Sequence, residues 1–393
     1  MSELSAPREK SREQSQDFPV AEGDDLDITD LDITDLDITE LDVTELDVVV
    51  IGAGIAGLIV ATRLIKAGLR CRVLERNDRA GGRLLTHHNV HGHFDLGATW
   101  YWPGETRVAE LIRELDVPTH AHHLAGDAMY HSPDGAQRIN GNPIDVVSGR
   151  FSHGAASLTD RLAEYLDDVV TLGATVSSVE QQQESDVKPN ALTVTYTKGS
   201  VTARHVVLAL PPSMAANSIR FDPTLPDDLA ALAKATPVWM GNIAKVVAIY
   251  EHAFWQQSGL SGSAISHTGP LREIHDMSGA HFEPSALFGF IPLSPDIPAP
   301  GKKDIIKQLV EIFGPEAASP LEVLIKDWRT EASFVGLVPG ERTPMETYAH
   351  HRYQVPFGNG RIHWASTETS PISPGHIEGA LAAAERAVAA IIQ

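Results

Sequence analysis

The chain has a single cysteine, Cys71, in 393 residues. One thiol excludes an internal disulfide and any metal centre built on several cysteines, and it points to a reducing, cytoplasmic setting. Positive charge is also scarce: 31 Lys and Arg stand against 52 Asp and Glu, for a net charge of −21. A surface of that sign repels nucleic acid and anionic membrane, so neither is expected as a partner. No apolar run approaches the roughly 20 residues that a membrane span needs. The N-terminus is too acidic and polar for a secretory signal. No Gly-x-Ser-x-Gly elbow speaks for a hydrolase. The apolar share of 42% is that of a soluble globular protein, and the length allows two or three core-sized units.

The negative charge is concentrated at one end. Residues 1–47 hold sixteen acids against Arg8, Lys10 and Arg12, a net of −13, which leaves −8 for the other 346 residues. The same stretch contains a five-residue repeat: Leu-Asp-Ile-Thr-Asp at 26–30 and 31–35, Leu-Asp-Ile-Thr-Glu at 36–40 and Leu-Asp-Val-Thr-Glu at 41–45. A period of five matches neither helix nor strand, and the charge density opposes compaction. Residues 1–45 therefore read as a disordered, solubilising leader, with an acidic docking segment as the other reading. The next unit, Leu46-Asp47-Val48-Val49-Val50, is already the first strand of the folded body.

That strand opens the most informative segment of the chain. It runs into Gly52-Ala53-Gly54-Ile55-Ala56-Gly57, a Gly-x-Gly-x-x-Gly pattern followed by a helix-compatible apolar stretch. Gly52 allows the tight turn, Gly54 lets backbone approach a pyrophosphate, and Gly57 lets helix and strand pack closely. The helix N-terminus then faces the phosphate charge. A second strand, Cys71-Arg72-Val73-Leu74, ends in Glu75, 23 residues after Gly52, where a carboxylate can accept hydrogen bonds from a ribose hydroxyl. Dinucleotide binding follows from strand, helix, second strand and terminal acid in register.

Directly after Glu75 comes Arg76-Asn77-Asp78-Arg79-Ala80-Gly81-Gly82-Arg83. Paired glycines followed by arginine bring backbone and a guanidinium to the other side of a diphosphate. An extended flavin dinucleotide needs this second clamp, whereas a nicotinamide cofactor does not. Phe94-Asp95-Leu96-Gly97-Ala98-Thr99-Trp100 then reads as a strand ending in small residues on which a flat ring could rest.

With these motifs in place the chain resembles the flavin-containing amine oxidase family, the monoamine and polyamine oxidases. The resemblance continues through His205–Pro212, Asn242–Trp255 and Ala365–Leu381, in the family's order. It implies an α/β fold: a Rossmann-type FAD-binding domain with a discontinuous, mixed-sheet substrate domain, reduced in size. The FAD domain is expected from 46–102, 152–235 and 355–393, and the substrate domain from 103–151 and 236–354. The resemblance further implies Gly52, Gly54, Ala56, Gly57, Glu75 and Arg76 at the adenosine diphosphate, and Gly82 and Arg83 at the pyrophosphate. Gly97, Ala98, Thr99 and Trp100 would lie along the flavin, Val176 at adenine, and Thr367 and Glu368 at the ribityl chain. Ile377 opens the last helix, whose positive end would face the flavin ring. The activity implied is oxidative deamination of an amine: hydride to flavin N5, hydrolysis of the imine, and return of the electrons to molecular oxygen as hydrogen peroxide. No side-chain base is required by that scheme.

Lys245 lies in the apolar run Ile243–Ile249, and an idle lysine inside such a run is costly. The family's matching lysine holds a water against flavin N5 and assists reaction with oxygen. The other reading is an edge-strand lysine reaching solvent. Trp100, Trp328, Phe334 and His376 are the expected pocket walls. His376 stands where the family has an aromatic ring, and no cysteine follows Trp328, so FAD is expected to be bound non-covalently. The segment from 116 to Gly149 reads as loop-rich, which leaves the pocket more open than in larger members. That openness keeps a flavin desaturase of apolar substrates, or a partner-dependent flavin-binding protein, as the alternatives. His87, His88, His91 and His93 fall on a probable hairpin with no carboxylate spacing for a metal site, and His120, His122 and His123 are read likewise; no metal is expected. The oligomeric state is left open.

Overall fold

The computed structural model describes residues 46–182, 191–294, 298–331 and 345–393. The acidic leader and Phe334 lie outside the described residues. Strand β1 (Leu46–Ile51) is apolar apart from Asp47, because both its faces are covered from Val48 to Ile51. It pairs in parallel with β2 (Cys71–Leu74) on one side and Gly199–Leu208 on the other, so that Ile51 lies opposite both Leu74 and Leu208. Helix α1 (Ile55–Lys66) connects β1 to β2, with Gly54 as its N-cap and Leu58, Val60 and Leu64 buried. It packs on the C-terminal helix Ile377–Ile392, whose alanine-rich face allows the close approach.

Eight strands form this first sheet. Val170–Thr171, β2, β1, Gly199–Leu208, Leu192–Tyr196, Val176–Gln181 and Arg220–Asp222 follow in order, and Ile362–Trp364 pairs with the far end of Gly199–Leu208. Its strands come from three separate stretches of chain, because the chain leaves the sheet after β2 and again after Asp222.

The seven-stranded second sheet is built mainly from the intervening chain. Its order is Glu322–Asp327, Ile243–Tyr250, Ser285–Pro292, Glu273–Asp276, Leu260–Ser266, Asp127–Ser132 and Gly135–Ile139. One pairing, Leu260–Ser266 with Asp127–Ser132, is parallel and the others are antiparallel, so the sheet is mixed. Strand Ile243–Tyr250 is interior, flanked on both sides. Its residues alternate faces: Ala244, Val246 and Ala248 pack under helix Lys302–Phe313, while Val247 and Ile249 meet Phe94 and Leu96. Lys245 shares the second face. The edge-strand alternative for Lys245 is thereby excluded.

One expectation needs correction. The segment after Trp100 is not loop-rich up to Gly149: it carries Thr119–Ala121, Asp127–Ser132, Gly135–Ile139 and Gly149–Phe151. Asp127–Ser132 and Gly135–Ile139 form a hairpin that a distant strand completes, with Ala264 beside Met129, a partner that local composition does not reveal. Helix Ala156–Leu166 then leads the chain back to the first sheet. The four-histidine stretch is a hairpin, with His88 Nδ1 and His93 Nδ1 2.6 Å apart. Among the described residues no group of three His, Cys, Asp or Glu side chains is arranged to hold a metal ion.

Gly57 shows why the third glycine matters: a Cβ there would lie 1.9 Å from the Gly52 carbonyl oxygen. That contact is with backbone and cannot be relieved by a rotamer change. Gly57→Ala is expected to lower stability by about 1–3 kcal/mol and to reduce the flavin retained per chain, read from denaturant unfolding together with the visible absorbance of the purified protein.

Candidate active site

One large cavity, about 630 Å³, opens where the C-terminal ends of β1 and β2 meet the second sheet, within the usual range of cofactor and ligand pockets, ~300–1,000 Å³. At the β1–β2 end its wall includes Gly52, Gly54, Ala56, Glu75, Arg76 and Val176. Glu75 ends β2, and its carboxylate accepts the N–H of Ala53 at 2.8 Å and of Asn77 at 3.0 Å. Both bonds fix the carboxylate beside the glycine turn. Gly57 does not line the cavity; it packs behind Gly52.

The two glycine loops touch in the middle of the cavity. Gly81 adopts φ +97° and its N–H donates to the Ala53 carbonyl at 2.8 Å. Gly82, at φ +56°, faces Gly54 so closely that a Cβ on it would lie 3.3 Å from the Gly54 Cα. Arg83 lines the same stretch, and its guanidinium donates to both oxygens of Glu368, at 2.7 and 3.2 Å. Glu368 is fully buried and does not line the cavity; it stands behind Arg83 and orients it. Thr367, beside it, does line the wall, accepting the Gly375 N–H and donating to the His376 carbonyl.

The far end is bounded by Gly97, Ala98, Thr99, Trp100, Lys245, Trp328, His376 and Ile377. Lys245 is 2% exposed; its ammonium donates to the Gly97 carbonyl at 3.0 Å and to the Thr99 hydroxyl, and lies 4.3 Å from the centre of the Phe288 ring. Burial brings its pKa down to about 7, with Arg150 acting in the same direction and Asp95 against it. Trp328 anchors its indole N–H on the Leu96 carbonyl at 2.9 Å. Ile377 is the first residue of the last helix and His376 is its N-cap. Glu378, the acid in that first turn, is taken up by Arg107 and by the Val108 N–H, so its charge does not oppose the helix dipole.

Several wall residues lay beyond sequence reading. Trp102 stacks on His376 at 4.7 Å and 34°; its place two residues after Trp100 was an available signal, since alternate strand positions share a side. Glu105 pairs with His376 at 2.9 Å. Glu273 and Arg272 also line the cavity. Glu273 lies opposite Phe290 in the sheet, and Phe290 lies opposite Lys245. The three residues therefore form one row on one face, with the outer two about 10 Å apart across two strand spacings. Behind Glu273, the buried His275 bridges two carboxylates, with Nδ1 2.5 Å from Asp145 and Nε2 3.2 Å from Glu273. Burial disfavours a charged His275, but the two carboxylates outweigh it and raise its pKa; in turn His275 overcomes burial at Asp145 and holds it at about 2.

This geometry agrees with what the chain is similar to. Residues 138–392 match the family model described as flavin containing amine oxidoreductase, and residues 50–115 match an NAD(P)-binding Rossmann-like domain. The chain belongs to the flavin-containing amine oxidoreductase family. The Mycobacterium tuberculosis protein AofH, named for a flavin-containing monoamine oxidase, is 27% identical over 86% of this chain and 95% of its own. Putrescine oxidase of Kocuria rosea is 25% identical over 86% of this chain and 94% of its own. The structure of cyclohexylamine oxidase from Brevibacterium oxydans superposes with a TM-score of 0.76 at 23% identity, over 89% of this chain and 99% of that one, which shows a shared fold.

The cofactor of this flavin amine oxidase is FAD, and the cavity fits it. A Cβ on Gly54 would meet no protein atom and would stand in the cavity itself. Helix α1 has no acid in its first turn to repel a diphosphate. At the other end Ser366 and Trp100 line the cavity. Glu368→Gln removes the charge that orients Arg83. With charge-assisted hydrogen bonds contributing roughly 1.5–3 kcal/mol, flavin retention is expected to weaken about tenfold to hundredfold, measured as release of flavin absorbance on dilution, with far-UV circular dichroism unchanged.

Proposed function

We propose that this enzyme oxidises a primary amine to an imine that water hydrolyses, with molecular oxygen as electron acceptor and hydrogen peroxide as product. FAD supplies the two-electron acceptor, and the chain's own residues do the rest. The observation that carries the reading is Lys245, a buried amine set against the Gly97–Trp100 segment. Trp100, Trp102, Trp328 and His376 give flat walls for positioning the reacting carbon. Lys245, Glu273 and His376 give that end a polar character suited to a charged substrate and unsuited to the apolar ones of a desaturase. We read the first sheet as the core of the FAD domain and the second as that of the substrate domain. Cys71 does not line the cavity, which supports non-covalent FAD, and a lone cysteine suits a cytoplasmic compartment. No helix among the described residues is long and apolar enough to cross a membrane.

The row Lys245–Phe290–Glu273 refines the substrate. A carboxylate fixed by His275 about 10 Å from the lysine would hold the second cation of a diamine while the first meets the flavin. The test is an anaerobic titration with n-alkylamines and α,ω-diaminoalkanes of matched carbon number, following flavin bleaching. Bleaching by amines, and recovery with peroxide when air is admitted, is the expected result; a flavin that dithionite reduces and no amine does would sink the reading. Diamines should bind more tightly than their monoamine counterparts, and Glu273→Gln should erase that preference, by about tenfold in apparent Kd for each 1.4 kcal/mol lost.

Lys245 acts in the oxygen half. Below pH 7 it is an ammonium that stabilises negative charge developing on oxygen; above about 7 it is neutral. The rate of flavin reoxidation should therefore fall as pH rises through about 7. Lys245→Met should make reoxidation on the order of a hundredfold slower and independent of pH in that range, with reduction by amine changed far less, as read by stopped-flow absorbance.

A further inference from the structure

An aliphatic amine with a pKa near that of lysine reaches the enzyme almost wholly as an ammonium ion, with roughly one molecule in a thousand neutral at pH 7. The ammonium nitrogen has no lone pair to support loss of hydride from the adjacent carbon. A proton must therefore leave before oxidation, and the cavity wall has few groups to take it. Glu75 is engaged by the Ala53 and Asn77 N–H groups beside the glycine turn. Glu273 is paired with His275, and Glu331 with Lys326. Lys245 is held by the Gly97 carbonyl and Thr99.

His376 differs from all of these. Its Nδ1 lies 2.9 Å from Glu105 Oε1, while its Nε2 has no partner among the described residues. Glu105 is itself fixed: it is 7% exposed, and its other oxygen accepts the Trp102 N–H at 3.0 Å. A carboxylate at Nδ1 keeps the proton on that nitrogen and leaves Nε2 as an acceptor, the logic by which an acid orients a histidine base. The ring lines the cavity, stacks on Trp102 and is 37% exposed. Of the other charges nearby, Arg107 and Glu378 satisfy one another, and the helix that His376 caps presents its positive end.

We propose that His376 is the base that removes the proton from the substrate ammonium, with Glu105 as its positioning residue. The Nε2 lone pair takes one N–H proton, giving a neutral amine and an imidazolium whose Nδ1–H remains on Glu105; total charge is unchanged, and the proton leaves to solvent from the exposed edge of the ring. The neutral amine then avoids the repulsion that an imidazolium would exert on a cation. This assignment rests on the amine-oxidase reading, and its test separates the two.

The direct test uses tert-butylamine, which binds as an amine but has no hydrogen on its α-carbon to lose, with ¹⁵N-histidine-labelled enzyme and the His376 signal assigned by its loss in His376→Phe. At pH 8 the ring should show the Nδ1–H tautomer, and addition of tert-butylamine should move the Nε2 resonance upfield as that nitrogen accepts a hydrogen bond from the bound amine. An Nε2–H tautomer, or an Nε2 signal that tert-butylamine leaves unmoved, overturns the assignment whether or not amines bleach the flavin. In parallel, anaerobic reduction by an oxidisable amine should be about 10²- to 10⁴-fold less efficient in His376→Phe at pH 7 and approach the parent enzyme near the amine's own pKa. Glu105→Gln should lower the Nδ1–H tautomer share in the ¹⁵N spectrum and reduce the efficiency of flavin reduction with it. A His376→Phe profile that overlays the parent also overturns the assignment, and failure of every amine to bleach the parent enzyme removes the amine-oxidase reading instead.

Discussion

The structure depends on one backbone contact, the Gly81 N–H on the Ala53 carbonyl. It brings the turn after β1 against the turn that follows β2, and the space we assign to the cofactor's diphosphate lies beside both. Neither turn tolerates side chains: Gly52 and Gly81 hold φ values of +106° and +97°, and Gly57 has no room for a Cβ. Both turns stand on parallel strands whose register sets Ile51 beside Leu74. Glu75 links the two turns by accepting the Ala53 and Asn77 N–H groups. The strands, the glycines and the acid therefore form a single rigid unit, which suits the phosphate-binding role we propose for it.

A second constraint is the buried charge at the other end. Lys245, Asp95 and Arg150 are each almost completely buried, and taking ions out of water costs several kcal/mol apiece. Each is compensated in its own way. Asp95 accepts the Thr86 hydroxyl and the Ala155 N–H, Arg150 donates to the Ser278 carbonyl, and Lys245 has Gly97 and Thr99. Burial leaves Lys245 with a pKa near neutrality, where a small change of environment changes its charge. A structural cost is thus also what makes the lysine chemically useful.

The fold was legible in sequence wherever the chain's own geometry is demanding. The turn Gly52–Gly57, the acid at Glu75 and the helix starting at Ile377 follow from local rules, and they stand where expected. Lys245 was legible as an anomaly, a charge inside an apolar run. Reading failed between 116 and Gly149, where Asp127–Ser132 is held by a strand more than a hundred residues away and Thr119–Ala121 by Gly149–Phe151. It also could not see that Glu368 serves Arg83, or that Glu105 holds His376, because nothing local to either residue announces its partner.

The sequence by itself determined the backbone conformations and the types of chemistry present, because turns, periodicity and the cost of a misplaced charge act over a few residues. Only the tertiary structure decided which of those chemistries meet. Arg83 and Glu368 are 285 positions apart, Glu105 and His376 271, and Thr99 and Lys245 146. Sheet register places Glu273 in one row with Lys245, and helix packing places His376 over Trp102. Such meetings are set by how two sheets close on one another, a property of the whole chain that no short segment carries.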